Sequence, residues 1–262
     1  MLSYQHGYHA GNLADVQKHA LLAWALAEMA RKDKPLSYLE THAGRGLYDL
    51  AAPEAIKTGE ARAGIERVEG WFPPADPYAR VLHRTRRLHG PRAYPGSPLV
   101  AALSLRPQDR LTLAELHPRE GEALEHHLLP HGARVLRQDG ARMALSLAPP
   151  DPRRGLLLVD PSWEVKEEYA TIPDLLEKVH RRWNVGVLLL WYPLLADDRH
   201  LPMLARLERS FPQALRHEVR FPPARPGHGM TGSGVFAVNP PWRMAERAAW
   251  LSDRFATLRP LS

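Results

Sequence analysis

Two apolar patterns alternate along the chain. Short unbroken runs at residues 36–41 (LSYLET), 111–116, 133–137, 155–159 (GLLLV) and 185–192 (VGVLLLWY) predict strands. The last two are nearly continuous in aliphatic residues, the pattern of strands covered on both faces. Between the runs, apolar residues return every three or four positions, predicting helices after YPGSP to about 105 and over 119–129 and 142–148. A helix at 201–208, a strand at 215–221, a Gly/Pro-rich segment, a strand at 234–238 and a helix at 242–255 close the chain. Strands alternating with helices predict an α/β domain built on a mostly parallel sheet.

Two stretches depart from that rhythm. Near the start, Asn12 followed three residues later by Asp15 predicts a capped helix. Its buried stripe is Val16, Ala20, Ala23, Ala27 and Ala30, and it is expected to stop near 33–35. Residues 49–93 hold helical patches broken at WFPP and then a second helix over 77–89, predicting a small helical insertion between the first and second strands, beside the ligand edge. The main domain then comprises 1–48 and 94–262. The second inserted helix carries Arg80, Arg84, Arg86 and Arg87 with no acid between them, and Arg80, Arg84 and Arg87 share a face.

Composition narrows the partners. The 262 residues include no cysteine, which removes disulfides, thiolate nucleophiles and sulfur-based zinc sites. A net charge of +6 admits a polyanionic partner, and the arginine face makes a phosphate backbone the favoured one. No apolar stretch approaches the ~20 residues of a membrane helix, so a cytoplasmic protein that engages no membrane is expected.

Chemistry gathers where strands end. His42 follows the first strand, Glu115 ends the second, Asp139 follows the third and Asp160 ends the fourth. In open α/β sheets that edge is where ligands bind. An acid in Glu115's position suits the two hydroxyls of a ribose, and Asp139 suits an adenine amine. The turn HAGRG matches neither GxxxxGK[ST] nor GxGxxG, which favours a nucleoside ligand without a pyrophosphate. Lys18, Ser97 and Asp160 would meet its remaining charges, although end-of-strand acids also cap helices. For Lys18 and His19, a solvated lysine and a partly packed histidine account for the sequence equally well.

The fourth strand delivers Asp160-Pro161-Ser162-Trp163. An exocyclic amine on a base is a poor nucleophile because its lone pair is delocalised. The Asp160 carboxylate and the Pro161 carbonyl can hold both amine hydrogens and turn that lone pair toward an electrophilic methyl, while Trp163 stacks on the extruded base. A later copy, Asn239-Pro240-Pro241-Trp242, follows a strand read as lying near the sheet's edge, and is expected to supply a strand stop and a packing aromatic.

These motifs resemble those of class I S-adenosylmethionine-dependent methyltransferases with an Asp/Asn-Pro-Pro-aromatic motif. More closely, the chain is similar to the bacterial large-subunit ribosomal RNA adenine-N6 methyltransferases of the RlmJ family. MLSYQHGYHAGNLADVQKH, LETHAGRG, YPGSP, AELHP, QDG, VDPSW, LLLWYP and GMTGSGVFAVNPPW carry the likeness across nearly the whole length. The resemblance implies a Rossmann-like domain with a mostly parallel seven-stranded sheet, and methylation of one adenine of 23S ribosomal RNA by S-adenosylmethionine, without a metal. It places the cofactor at Lys18 or His19, His42, Ser97, Glu115, Asp139 with Gly140, and Asp160. Residues 1–12, through Tyr4 and His6, become a flap over cofactor and target base. Arg84 and Arg87 are the expected RNA contacts, a monomer the expected form, and free or partly assembled 23S RNA the expected partner. DPSW departs from the commoner DPPY: Ser162 removes one proline constraint, leaves Asp160 and the Pro161 carbonyl intact, and activity is expected to survive. A DNA or protein-amide methyltransferase, or a non-catalytic RNA-binding protein, stays open on the same residues.

Overall fold

The computed structural model describes residues 6–222 and 229–260. In chain order its strands are β1 (Ser37–Glu40), β2 (Leu47–Asp49), β3 (Ala93–Pro95), β4 (Arg110–Ala114), β5 (Arg134–Leu136), β6 (Gly155–Val159), β7 (Val187–Leu195), β8 (Leu215–Arg220) and β9 (Met230–Val238). The helices are α1 (Leu13–Ala30), α2 (Pro53–Thr58), α3 (Glu60–Ala63), α4 (Ile65–Val68), α5 (Pro77–His89), α6 (Ser97–Ser104), α7 (Pro118–Leu128), α8 (Gly140–Leu147), α9 (Glu168–Arg182), α10 (Leu201–Ser210) and α11 (Met244–Ala256).

Seven strands form one sheet in the order β5-β4-β1-β6-β7-β9-β8. The pairs from β5 to β7 are parallel, and β9 runs against both of its neighbours. From β1 the chain moves outward to β4 and β5, then returns to β6 on the other side. The carboxyl ends of β1 and β6 therefore flank the point where the winding reverses, and a crevice opens there. Alternate strand residues enter two separate cores. Tyr38, Leu156, Leu158 and Leu189 face α1, α5, α6 and α11, whereas Leu39, Leu157, Val159, Leu188 and Leu190 face α8, α9 and α10. Burial on both faces is why GLLLV carries no polar alternation.

Helix α1 is capped as its sequence predicts, with Asn12 Oδ1 accepting from the Asp15 amide at 2.8 Å. It is far more deeply enclosed than an alanine stripe implies, for Asp15, Gln17, Lys18 and His19 are buried along with its apolar residues. It packs against α5, α6, α11 and β9. It also stops at Ala30, short of 33–35, because Arg106 donates to the carbonyls of Ala30, Lys32 and Lys34 and holds that stretch as a turn.

The segment 49–93 is helical, closed at its base by the antiparallel pair β2 and β3. A buried polar chain ties it to α1: His19 Nδ1 lies 3.0 Å from the Tyr94 hydroxyl, which lies 2.9 Å from that of Tyr78.

Three further expectations change. Helix α9, not anticipated from the sequence, has a clear stripe of Ile172, Leu175, Leu176 and Val179, interrupted by Pro173. Strand β9 begins at Met230 rather than 234 and lies inside the sheet between β7 and β8. Gly232, which the sequence places in the Gly/Pro-rich segment, falls inside β9, where a Cβ would stand 2.4 Å from the Val219 carbonyl oxygen, so glycine there marks a close approach within a strand. Trp242 is 79% exposed and packs nothing, although β9 does end just before Asn239.

Candidate active site

A cavity of about 490 Å³ opens at the carboxyl ends of β1, β4 and β6. Every cofactor position expected from the sequence lines it: Lys18, His19, His42, Ser97, Glu115, Asp139, Gly140 and Asp160. So do His6, Pro161 and Trp163. Tyr4 lies outside the described residues.

The turn after β1 is shaped by the acid at the end of β4. Glu115 Oε2 accepts from the Gly44 amide at 2.7 Å and Oε1 from the His117 amide at 2.8 Å. Gly44 has φ +61°, in the left-handed region that glycine reaches without strain. Burial raises the Glu115 pKa against the pull of those amides. His42 Nδ1 lies 2.7 Å from Thr41 Oγ1, and burial lowers the imidazole's pKa although Asp160 and Asp139 oppose it. Asp139 caps α8 by accepting from the Arg142 amide at 2.7 Å with Oδ1, so the capping role and a place on the cavity wall coexist. Gly140 must be glycine: a Cβ there would stand 1.9 Å from the Thr41 carbonyl oxygen.

Beneath this floor lies Glu40, an acid that sequence reasoning passed over as part of a strand. It is fully buried, accepts from Ser97 Oγ at 2.6 Å and from the Tyr38 hydroxyl at 2.8 Å, and burial pushes it up to about 8. Its position as the last residue of β1 was the available signal.

Lys18 corrects the solvated alternative. Only 6% exposed, it donates to Asp160 Oδ2 at 2.6 Å, pairs with Asp15 Oδ1 at 3.1 Å and stands 5.4 Å from the centroid of the Trp191 ring. Those two carboxylates raise its pKa against a strong burial penalty, keeping it an ammonium. His19 is held neutral by burial, at about 3, and among the described residues its Nε2 has no hydrogen-bond partner. Asp160 Oδ1 has no hydrogen-bonding partner among the described residues.

Trp163 is less free than a stacking platform would be. It is 6% exposed with φ +60°, its Nε1 donates to the Trp191 carbonyl at 3.2 Å, and its ring lies 4.6 Å from that of Tyr169. The indole is a locked wall of the cavity. Glu168, at the start of α9, also lines the cavity with Oε2 unpartnered, and was invisible while α9 itself was unread.

The insertion differs from expectation in its placement. None of the cavity-lining residues falls within 49–93; instead the insertion braces the amino-terminal segment, with Glu60 taking His9 and Asn12. Arg84 and Arg87 are exposed, and Arg84 reaches the Leu103 carbonyl at the far end of α6 from Ser97.

The second motif copy is excluded by register. Val238 pairs with Leu188 near the start of β7, whereas Val159 pairs with Leu190 farther along it, so Asn239 emerges at the sheet edge opposite Asp160. There its amide is spent on the carbonyls of Asn184 and Gly186.

Residues 33–258 match the family model described as ribosomal RNA large subunit methyltransferase D, RlmJ. The chain belongs to the RlmJ family. It is 39% identical over 254 residues to ribosomal RNA large subunit methyltransferase J of Escherichia coli (strain K12), covering 94% of this chain and 90% of that one. The corresponding protein of Haemophilus influenzae (strain ATCC 51907 / DSM 11121 / KW20 / Rd) is 36% identical over 250 residues, with 93% and 89% covered. A crystal structure of a Legionella pneumophila str. Philadelphia 1 protein superposes with a TM-score of 0.84 at 34% identity, covering 95% of this chain and 93% of that one.

The RlmJ-family cavity suits S-adenosylmethionine on its own chemistry. Glu115, Asp139 and Asp160 bring carboxylates to its wall, Gly44 and Gly140 keep the backbone there bare of side chains, and the buried His19 Nε2 has no hydrogen-bond partner among the described residues. Among the described residues no cluster of three or more metal-ligating side chains occurs, and no helix is long and apolar enough to cross a membrane.

Proposed function

We propose that this RlmJ-family protein methylates the exocyclic N6 amine of one adenine in 23S ribosomal RNA, with the base turned into the corner formed by Asp160, Pro161 and Trp163. S-adenosylmethionine, when bound, supplies an electrophilic sulfonium methyl. The observation that carries the assignment is the asymmetry of Asp160: Lys18 fixes Oδ2, leaving Oδ1 to accept an amine hydrogen on the cavity wall. With the Pro161 carbonyl taking the second hydrogen, the two acceptors would hold the amine with its lone pair free for the methyl that the cofactor would supply, and the amine's proton could then be lost without a strong base. Alignment at about 3 Å supplies most of the acceleration.

Glu115 and Asp139 are assigned to the nucleoside of the cofactor, His42, Ser97 and Gly140 to its surroundings, and Tyr4 and His6 to the flap side of the target base. Arg84 and Arg87, set back from the cavity, meet the RNA backbone away from the reacting base. Free or partly assembled 23S RNA, acted on by a monomer in the cytoplasm, completes the reading. Purified 23S RNA should gain N6-methyladenosine with the wild-type protein and none with Asp160→Ala, read by nucleoside mass spectrometry. Methyl incorporation only into DNA or protein would overturn the RNA assignment.

A further inference from the structure

Asp15 does more than begin a helix. In a reciprocal capping box the acid at this position returns to the amide of the capping residue. Here the carboxylate turns elsewhere: Oδ2 accepts from the Gly11 amide at 2.9 Å and from His6 Nε2 at 2.9 Å, while Oδ1 faces Lys18 Nζ at 3.1 Å. The residue is 1% exposed, and although burial works to raise its pKa, His6 and Lys18 hold it well below the usual carboxylate range, so it remains ionised. The consequence is a continuous line, His6–Asp15–Lys18–Asp160, crossing from the amino-terminal segment to the end of β6.

A lysine facing a single carboxylate can settle against either oxygen or pivot between them. With Asp15 on its other side, Lys18 has one position in which both contacts are made, and that position places it on Oδ2 of Asp160. We infer that Asp15 is a positioning residue for methyl transfer: it fixes Lys18 so that Asp160 Oδ1 stays available to the target amine, and the same carboxylate holds the segment bearing His6 over the cavity. This rests on the reading of Asp160 as the amine acceptor. Asp15 touches neither substrate nor cofactor in this scheme; its effect on turnover passes through Lys18, and its contact with His6 fastens the amino-terminal segment.

The groups facing Asp15 are His6 and the Gly11 amide from the amino-terminal segment, Lys18 and His19 from α1, and the hydroxyls of Tyr48, Tyr78 and Tyr94 at longer range. An amide at this position retains the shape but cannot accept from Gly11, His6 and Lys18 together.

The test is the full-length protein on purified 23S RNA, comparing wild type, Asp15→Asn, Lys18→Met and the double variant, with thermal melting as a check on folding. Asp15→Asn should lower kcat by about 10- to 100-fold, as for a displaced catalytic group, while KM for S-adenosylmethionine changes less than about twofold. In the Lys18→Met background the same change should have almost no further effect on kcat, because contacting residues in one network are not additive. Asp15→Glu, which keeps the charge but moves it, should also lose kcat. A kcat for Asp15→Asn within twofold of wild type, or losses that multiply in the double variant, would overturn the inference. Failure of both Asp15→Asn and Asp15→Glu to fold would overturn it too, assigning Asp15 to the framework. If instead Asp160→Ala retains turnover, it is the reading of Asp160 that falls.

Discussion

Two regions of this molecule bury a cation against a carboxylate, and they serve different ends. At the sheet's carboxyl edge Lys18 lies between Asp15 and Asp160 on the wall of a 490 Å³ cavity. On the other side of α1, Arg247 of α11 pairs with Asp76 at 2.8 Å, and its guanidinium lies 4.3, 5.3 and 5.6 Å from the ring centroids of Trp250, Trp24 and Phe72. Asp76 is also the cap of α5, accepting from the Tyr78 amide with its other oxygen. Both oxygens are thus occupied and aromatic rings surround the cation, so this pair fastens the insertion to α1 and α11. Around Lys18 there are two acids for one ammonium, and among the described residues Asp160 keeps an oxygen unengaged. A buried ion pair alone says little about role, and both pairs border a cavity; the carboxylate oxygen that Asp160 keeps for a ligand, where Asp76 spends both of its own, distinguishes a working site from a rivet.

Breaking one pair should cost activity and breaking the other should cost stability. The largest effect belongs to Asp160→Ala, which should lower kcat on the order of 10³-fold with thermal stability near wild type, read by methyl transfer and melting on the same preparation. Arg247→Ala should do the reverse. An uncompensated Asp76 left in the aromatic cage should reduce unfolding free energy by about 3–4 kcal/mol, with kcat per folded molecule within twofold, checked by denaturant titration. Loss of activity without loss of stability there would erase the contrast.

Glu40 sharpens the comparison, being an acid buried without a cation. Its folded pKa of about 8 lies above the usual carboxylate value, so its contribution to stability is fully present below about 4.5 and is lost as pH rises through 8. Between pH 5 and pH 8 this amounts to about 3 kcal/mol, and Glu40→Gln should flatten that slope in denaturant melts taken across the range. An unchanged slope would mean that Glu40 does not hold its proton. The smallest effect is expected from the exposed arginines: Arg84→Ala with Arg87→Ala should weaken RNA binding and reduce the slope of log affinity against log salt by about 1–2. A slope identical to wild type would move the RNA path off the insertion.

Much of the site was legible because the chemistry sits at strand ends. His42, Glu115, Asp139 and Asp160 each follow or end a strand whose boundaries the aliphatic runs disclose, and parallel strands in one sheet bring such ends to one edge. Lys18 was ambiguous for the opposite reason: on a helix its surroundings depend on what packs against it, and enclosure by α5, α6, α11 and β9 is invisible in a local pattern. The Gly/Pro-rich reading misled at Gly232, which lies within β9 in close approach to the Val219 carbonyl. Helix α9 went unread although Ile172, Leu175, Leu176 and Val179 supply an apolar stripe, which Pro173 interrupts.

The sequence by itself determined the alternation of strands and helices, the motifs that mark the RlmJ family, and which side chains carry chemistry, since these follow from residue type and short-range spacing. Only the tertiary structure decided that Asp15 and Lys18 are buried beside Asp160, that the insertion braces the amino-terminal segment rather than lining the cavity, and that the second Pro-Pro-Trp lies at the opposite sheet edge. Those are outcomes of strand direction and packing between residues far apart in the chain, where no local periodicity carries information.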